Sequence, residues 1–250
     1  MFPDLDALDG LDGLCRGGDR HQGWTFVRAL TAALGRPLVE GDGIDAGRLQ
    51  AAQERVGGRL PAALLEAYLL FGHRRDLTDA QDGLVSPEQL HVGVDGVLVF
   101  RVENQGCASW GVLAEAVGQD DPAVVLEAGD GWVPYSDRLS LALVEMVLSE
   151  AMFSADSGHT DNRELDDAAL AALANGYQRL PLPDFPFWAA LDGPSIRWFA
   201  GPDVLLRDDG GTWLWVHGRT PDAVQAVRQR LPGEWLTVPE DEGDEGDGKG

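Results

Sequence analysis

Apolar residues recur at helical spacing through the first third of the chain and at strand spacing beyond it. Phe26, Val27, Leu30 and Leu34 make one stripe over His21–Leu34, which Gly35 and Pro37 end. Asp45 is placed to cap a second helix with Leu49, Ala52 and Val56 inward, stopped at Gly57-Gly58. Leu60-Pro61 opens a third, whose Leu64, Leu65, Tyr68 and Leu69 share one side before Gly72. Ahead of these, Leu5, Leu8, Leu11 and Leu14 are interleaved with Asp6, Asp9 and Asp12. Four glycines (Gly10, Gly13, Gly17, Gly18) weaken that pattern to a frayed helix or arm.

From Leu77 the punctuation changes. Ser86-Pro87-Glu88-Gln89 reads as a compact helix start. Short β-type runs follow at Leu90–Val94 and Val97–Val102, joined by the hairpin signal Asp95-Gly96. Others lie at Ser109–Leu113, Ala123–Leu126 and Trp132-Val133. Asp137 is expected to cap a long helix to Phe153. Leu139, Leu143, Met146 and Val147 mark its core face, and Leu141, Val144 and Leu148 predict burial on further sides.

After a polar break, Ser154–Asn162, the pattern predicts a helix over Leu165–Ala174. A strand meander follows at Ile196–Phe199, Val204–Arg207 and Thr212–His217. Thr220-Pro221 then starts a helix to Leu231, and Trp235–Val238 reads as a return strand. Pro239–Gly250 holds six acids and no large apolar side chain, so it is expected to be disordered. The expected division is an N-terminal helical arm (1–43), a core (44–155), a C-terminal α/β extension packed on it (156–238) and an acidic tail (239–250).

Charge narrows the function. In 250 residues, 42 acids face 19 bases, a net −23; without the tail, residues 1–238 still carry 36 acids against 18 bases. A surface of that sign repels nucleic acid and anionic membranes, and it favours a cationic protein partner. No apolar run is long enough to span a bilayer. Met1–Gly18 has neither the charge nor the apolar run of a leader, and Cys15 and Cys107 read as free thiols of a reducing cytoplasm.

Chemistry-bearing motifs are sparse. Cys107 lies two residues before Ser109-Trp110, where a thiol-protease pattern needs the cysteine beside the aromatic, so it reads as a structural thiol. His21, His73, His91, His159 and His217 are too far apart for a local metal pair, and no glycine motif cradles a phosphate; no metal or cofactor is expected. His159-Thr160-Asp161 with Asp166 and Asp167 reads as a solvated helix start. Trp213 and Trp215 fall on one sheet face by alternation, and the tryptophans as a group read as core.

One ordered set of motifs stands out. It comprises the helix Leu49–Val56, the Leu60-Pro61 restart, Tyr68 through Gly72, Leu84, Ser86-Pro87-Glu88-Gln89-Leu90, and Val99-Phe100-Arg101-Val102-Glu103-Asn104-Gln105-Gly106. Trp110-Gly111-Val112, Asp121-Pro122-Ala123-Val124, Trp132 and the helix after Leu139 complete it. Over Ile44 to Phe153 this resembles the SUKH superfamily. Residues 165–238, with Arg219-Thr220-Pro221 and Trp235, resemble an extension of some bacterial members.

The resemblance implies an α+β fold with helices packed around one mostly antiparallel, strongly curved sheet. It implies no catalysis and a binding role: an immunity protein that neutralises a toxin domain, often a basic nuclease, or an adaptor without a toxin partner. An enzyme built on His91, Cys107 and nearby carboxylates is the third alternative. The expected partner contact is Glu103, Asn104 and Gln105, where a strand ends, with Trp110 and Trp132. The competing structural reading has those polar side chains satisfying the loop's own backbone.

Overall fold

The computed structural model describes residues 5–129 and 131–236. In chain order the elements are α1 (Leu5–Cys15), α2 (His21–Ala33), α3 (Ala46–Val56), α4 (Ala62–Phe71), α5 (Arg75–Thr78), β1 (Gly83–Leu84), β2 (Val97–Val102), β3 (Ala108–Leu113), β4 (Val124–Ala128) and β5 (Trp132–Ser136). There follow α6 (Leu139–Phe153), β6 (Thr160–Glu164), α7 (Asp167–Gly176), β7 (Gln178–Arg179), β8 (Arg197–Gly201), β9 (Val204–Asp209), β10 (Trp213–Gly218) and α8 (Pro221–Arg230).

Local chemistry explains most boundaries. Asp45 accepts the Gly47 N–H at 2.7 Å, and Gly57 closes α3 in the left-handed region at φ 80°. Asp166 caps α7 through Ala169 N–H, and Thr220 caps α8 with Pro221 in its first turn. The N-terminal arm is helical, because Leu8, Leu11 and Leu14 bury against the core despite the glycines between them.

The fold is α+β. β1 to β5 form an antiparallel sheet in chain order, and the C-terminal extension carries a second antiparallel sheet, β6-β10-β9-β8-β7. The first sheet is strongly coiled. Val102, Ser109, Glu127 and Trp132 share one row across it, while Asp95 precedes Val97 at the other end of β2. A flat sheet would separate those corners by about 25 Å. Yet the Trp132 indole N–H donates to Asp95 Oδ2 at 2.8 Å.

Helix α6 lies at the centre, against α2, α4, α5, β5 and β10. The larger apolar core gathers Leu11, Phe26, Tyr68, Phe100, Leu126 and Leu143, and it continues into the extension through Phe185, Trp198 and Leu205. A smaller core lies on the opposite face of the second sheet, where Leu206, Leu214 and Val216 meet Leu173 and Val227.

Several expectations are corrected. Ser86–Gln89 is a turn, because no helical apolar spacing continues past it; the Gln89 N–H donates to the Ser86 carbonyl at 2.9 Å. In Leu90–Val94 only Val92 bridges to Leu98, and Val94 is fully exposed. Asp137 does not cap α6. Arg138 holds the cap position and Asp121, from the loop before β4, accepts the Ser140 N–H. Trp235 and Leu236 form no strand, and Val238 and the acidic tail lie outside the described residues.

Candidate functional site

The turn of the β2–β3 hairpin carries three of the expected contact residues. Glu103 turns inward and is 5% exposed. Its Oε2 accepts the backbone N–H groups of Gln105 at 2.8 Å and Cys107 at 3.0 Å. The Gly106 N–H donates to the Glu103 carbonyl, and Gly106 sits at φ 74°, where an L side chain is strained. This carboxylate therefore shapes the loop, and Asn104 and Gln105 are left exposed at its tip.

The two tryptophans part company. Trp110 is 3% exposed, stacked under the Arg101 guanidinium at 4.5 Å and edge-on to Tyr135. Trp132 is half-buried and opens β5 in the same row as Val102. The β2–β3 and β4–β5 hairpins turn at the same end of the coiled sheet, since Ala108 pairs with Ala128. Asn104, Gln105 and Trp132 therefore belong to one rim. Glu103 and Trp110 stand behind it as supports. Trp132, through Asp95, leads to a patch of exposed apolar side chains on and beside the neighbouring hairpin, Val92, Val94 and Leu113.

Beneath this rim lies a buried ionic cluster that sequence reasoning missed. A bulge between Val99 and Arg101 re-aims β2 and sends the Arg101 side chain under α6. Arg101 donates from Nη1 to Glu145 at 3.0 Å, and from Nη2 to Asp82 at 2.9 Å and Glu150 at 3.2 Å. Glu145 also accepts the Tyr135 hydroxyl at 3.0 Å and the Ser149 hydroxyl at 2.8 Å. Glu150 receives the backbone N–H groups of Ala80, Gln81 and Asp82. From the second sheet, Arg207 donates to the Ser149 hydroxyl at 2.7 Å and to Asp209 at 2.6 Å. The cluster thus joins β2, α6 and β9.

Four acids share two arginines here, and the imbalance sets their protonation. Burial pushes the Glu150 and Asp82 carboxyls up, and Arg101 offsets only part of that. Burial also works against Glu145, but Arg101 and Arg207 together hold it below the usual carboxylate range. Burial opposes the Arg101 cation, yet Glu145, Asp82 and Glu150 outweigh it and raise its pKa. The signal available in sequence was Glu145 and Glu150 inside an otherwise apolar helix, since buried acids need partners.

The remaining candidates stay apart. Cys107 is exposed and its N–H serves the loop. His91 is exposed, with Nδ1 2.8 Å from the Gln89 carbonyl. Burial, reinforced by Asp12, pushes the Cys15 thiol up to about 11. Among the described residues no group of three or more His, Cys, Asp or Glu is placed to hold a metal ion, and no helix is long and apolar enough to cross a membrane. Compared with protein-family models, curated proteins and solved structures, the chain matches none.

Proposed function

We propose that the chain is a non-catalytic protein-binding module that acts in the cytoplasm as an immunity protein, neutralising a basic toxin domain by direct contact. The observation that carries this reading is where the arginines go. Arg20, Arg74, Arg101, Arg138, Arg197, Arg207 and Arg228 are at least partly buried and are ion-paired to Glu66, Asp76, Glu145, Asp121, Asp208, Asp209 and Asp161. What remains outside is lopsided: among the described residues, twenty acids are exposed against ten arginines. Such a surface draws a cationic partner and speeds encounter.

The likeness of Ile44–Phe153 to SUKH proteins supports the same role. A basic nuclease is a fitting target, because its own anionic substrate requires a positive face. The proposed contact is the rim of Asn104, Gln105 and Trp132 and the adjoining Val92, Val94 and Leu113. It combines polar tips with a half-exposed indole and aliphatic side chains, the composition of a binding centre. Co-expression with a toxin domain encoded beside its gene tests the reading. Restored growth and a co-purifying complex are expected; unrelieved toxicity with no complex at low salt would refute it.

A further inference from the structure

The first sheet is apolar on both faces. Leu98, Trp110, Val112 and Leu126 point into the larger core. On the opposite face, one row across β2 to β5 reads Val99, Gly111, Val125 and Pro134. The next reads Val102, Ser109, Glu127 and Trp132, so only two of the eight positions are polar. Among the described residues, none of these side chains joins either core. An antiparallel sheet with one face in water alternates apolar and polar residues along its strands; this composition is that of a sheet covered on both sides.

The face has further features of a contact. Gly111 leaves room for Val97 to lean across it, since a Cβ there would collide with the Val97 side chain. No polar side chain therefore interrupts β3 between Ser109 and Leu113. At the β1 edge the face dips into a recess of about 410 Å³, lined by Leu84, Val85, Val99 and Val102. Its charge has one sign. Arg101 is the only arginine or lysine between Gly83 and Asp137, and it is turned to the other side, 3% exposed. Glu127 flanks the start of β3 and Glu115 follows its end; Glu127 is half-buried and Glu115 exposed, and neither has an ion-pair partner among the described residues.

We propose that this outer face receives a cationic amphipathic helix of the partner protein, laid along β3 as a third layer. The inference rests on the protein-binding reading above and names what the partner brings. A helix is about 10 Å across, two strand spacings of about 4.8 Å, so one laid along β3 also meets β2 and β4. Its apolar stripe covers Val99 and Val125, a large apolar side chain enters the recess, and lysines or arginines about three turns apart meet Glu127 and Glu115. Charge excludes the other occupants. A second copy would bring the same acids against these acids, and Pro239–Gly250 brings six more with no large apolar side chain.

The test uses the full chain and an 18-residue leucine–lysine peptide with helical spacing, against a peptide of equal composition in scrambled order. Binding is read by fluorescence anisotropy and by backbone amide shifts. The helical peptide is expected to bind saturably below about 1 mM, with shifts gathered on β2 to β4. Val125→Lys should weaken it at least tenfold and Glu127→Gln about threefold, while Asp192→Asn, an exposed acid of the extension, changes it less than twofold. Equal binding of both peptides, shifts spread over the acidic surface, or Val125→Lys binding like the parent would overturn the proposal. In the toxin co-expression assay, rescue fully retained by Val125→Lys would overturn the face alone. Absence of rescue by the parent would refute the immunity reading and leave the peptide titration to decide the face.

Discussion

Asp121 caps a helix to which it does not belong. Its Oδ1 accepts the Ser140 N–H at 2.7 Å, and its Oδ2 takes the Ser140 hydroxyl at 2.7 Å and Arg138 Nε at 2.8 Å. Arg138 then reaches back to the carbonyls of Leu14 and Gly18. One carboxylate therefore fixes the start of the central helix and, through Arg138, the N-terminal arm. Asp121→Ala should cost about 2 kcal/mol or more in urea denaturation, and Asp121→Asn, which keeps an acceptor, clearly less. Equal losses would mean that the cap contributes little.

That cap shows where sequence reading reached and where it stopped. Asp45 and Thr220 were legible because their acceptors serve N–H groups two or three residues away. Asp137 was the reasonable local choice for α6, but the acceptor came from nineteen residues upstream. β6 was hidden for a different reason. Its inward positions are Asp161 and Arg163, satisfied by Arg228 and by the carbonyls of Leu231 and Pro232, so no apolar alternation announced it. The β2–β3 loop was singled out from Glu103-Asn104-Gln105, and the reading that its polar side chains serve the loop's own backbone holds for Glu103, which accepts the Gln105 and Cys107 N–H groups. The ionic cluster needed β2, α6 and β9 brought together.

The cluster predicts a reversal of sign. Arg101→Met leaves Asp82, Glu145 and Glu150 buried around a missing cation and should cost about 3–5 kcal/mol. Glu145→Gln alone should also destabilise, because it breaks a charge pair. Added to Arg101→Met, the same change should stabilise, because it removes a buried charge with too few partners. Additive losses in a denaturant double-mutant cycle would show that Arg101 and Glu145 are not energetically coupled.

His217 makes stability depend on pH. Burial first, then the nearby His159 and Arg36, lower its pKa from 6.5 to about 4. Between those values the unfolded chain takes up a proton that the folded chain refuses. Stability from this group is therefore complete above about pH 6.5 and lost as pH falls through that window. From pH 7.5 to 5, the native chain should lose about 2 kcal/mol more than His217→Gln does. Parallel pH profiles from chemical denaturation would remove His217 from the account.

Trp110 and Trp132 should separate stability from binding. Trp110→Ala empties a site packed between Arg101 and Tyr135 and should cost about 3–5 kcal/mol. Trp132→Ala removes a half-buried indole and its bond to Asp95, with a smaller effect on stability, about 1 kcal/mol. On the proposed rim, Trp132→Ala should weaken partner binding at least tenfold, mainly through faster dissociation. Unchanged affinity in a protein that melts normally would move the contact elsewhere.

The acidic exterior makes the last prediction kinetic. Exposed carboxylates such as Glu40, Glu115, Asp137 and Asp192 lie on the described surface without enough exposed arginine to balance them. Charges at the edge of an interface act while the partners are still apart, so they steer approach more than they hold the final complex. Half-exposed anchors such as Trp132 act only after contact, and they govern escape. Raising salt from about 50 to 500 mM shortens the screening length from roughly 14 to 4 Å, which removes steering beyond direct contact. The association rate with a basic partner should fall several-fold or more over that range, while the dissociation rate changes little. Charge-reversing Glu115 and Asp137 to lysine should flatten the salt dependence by weakening the field that produces it. Biosensor kinetics across the series decide the matter. An association rate indifferent to salt would leave the surface charge a role in solubility alone and withdraw the main support for a cationic partner.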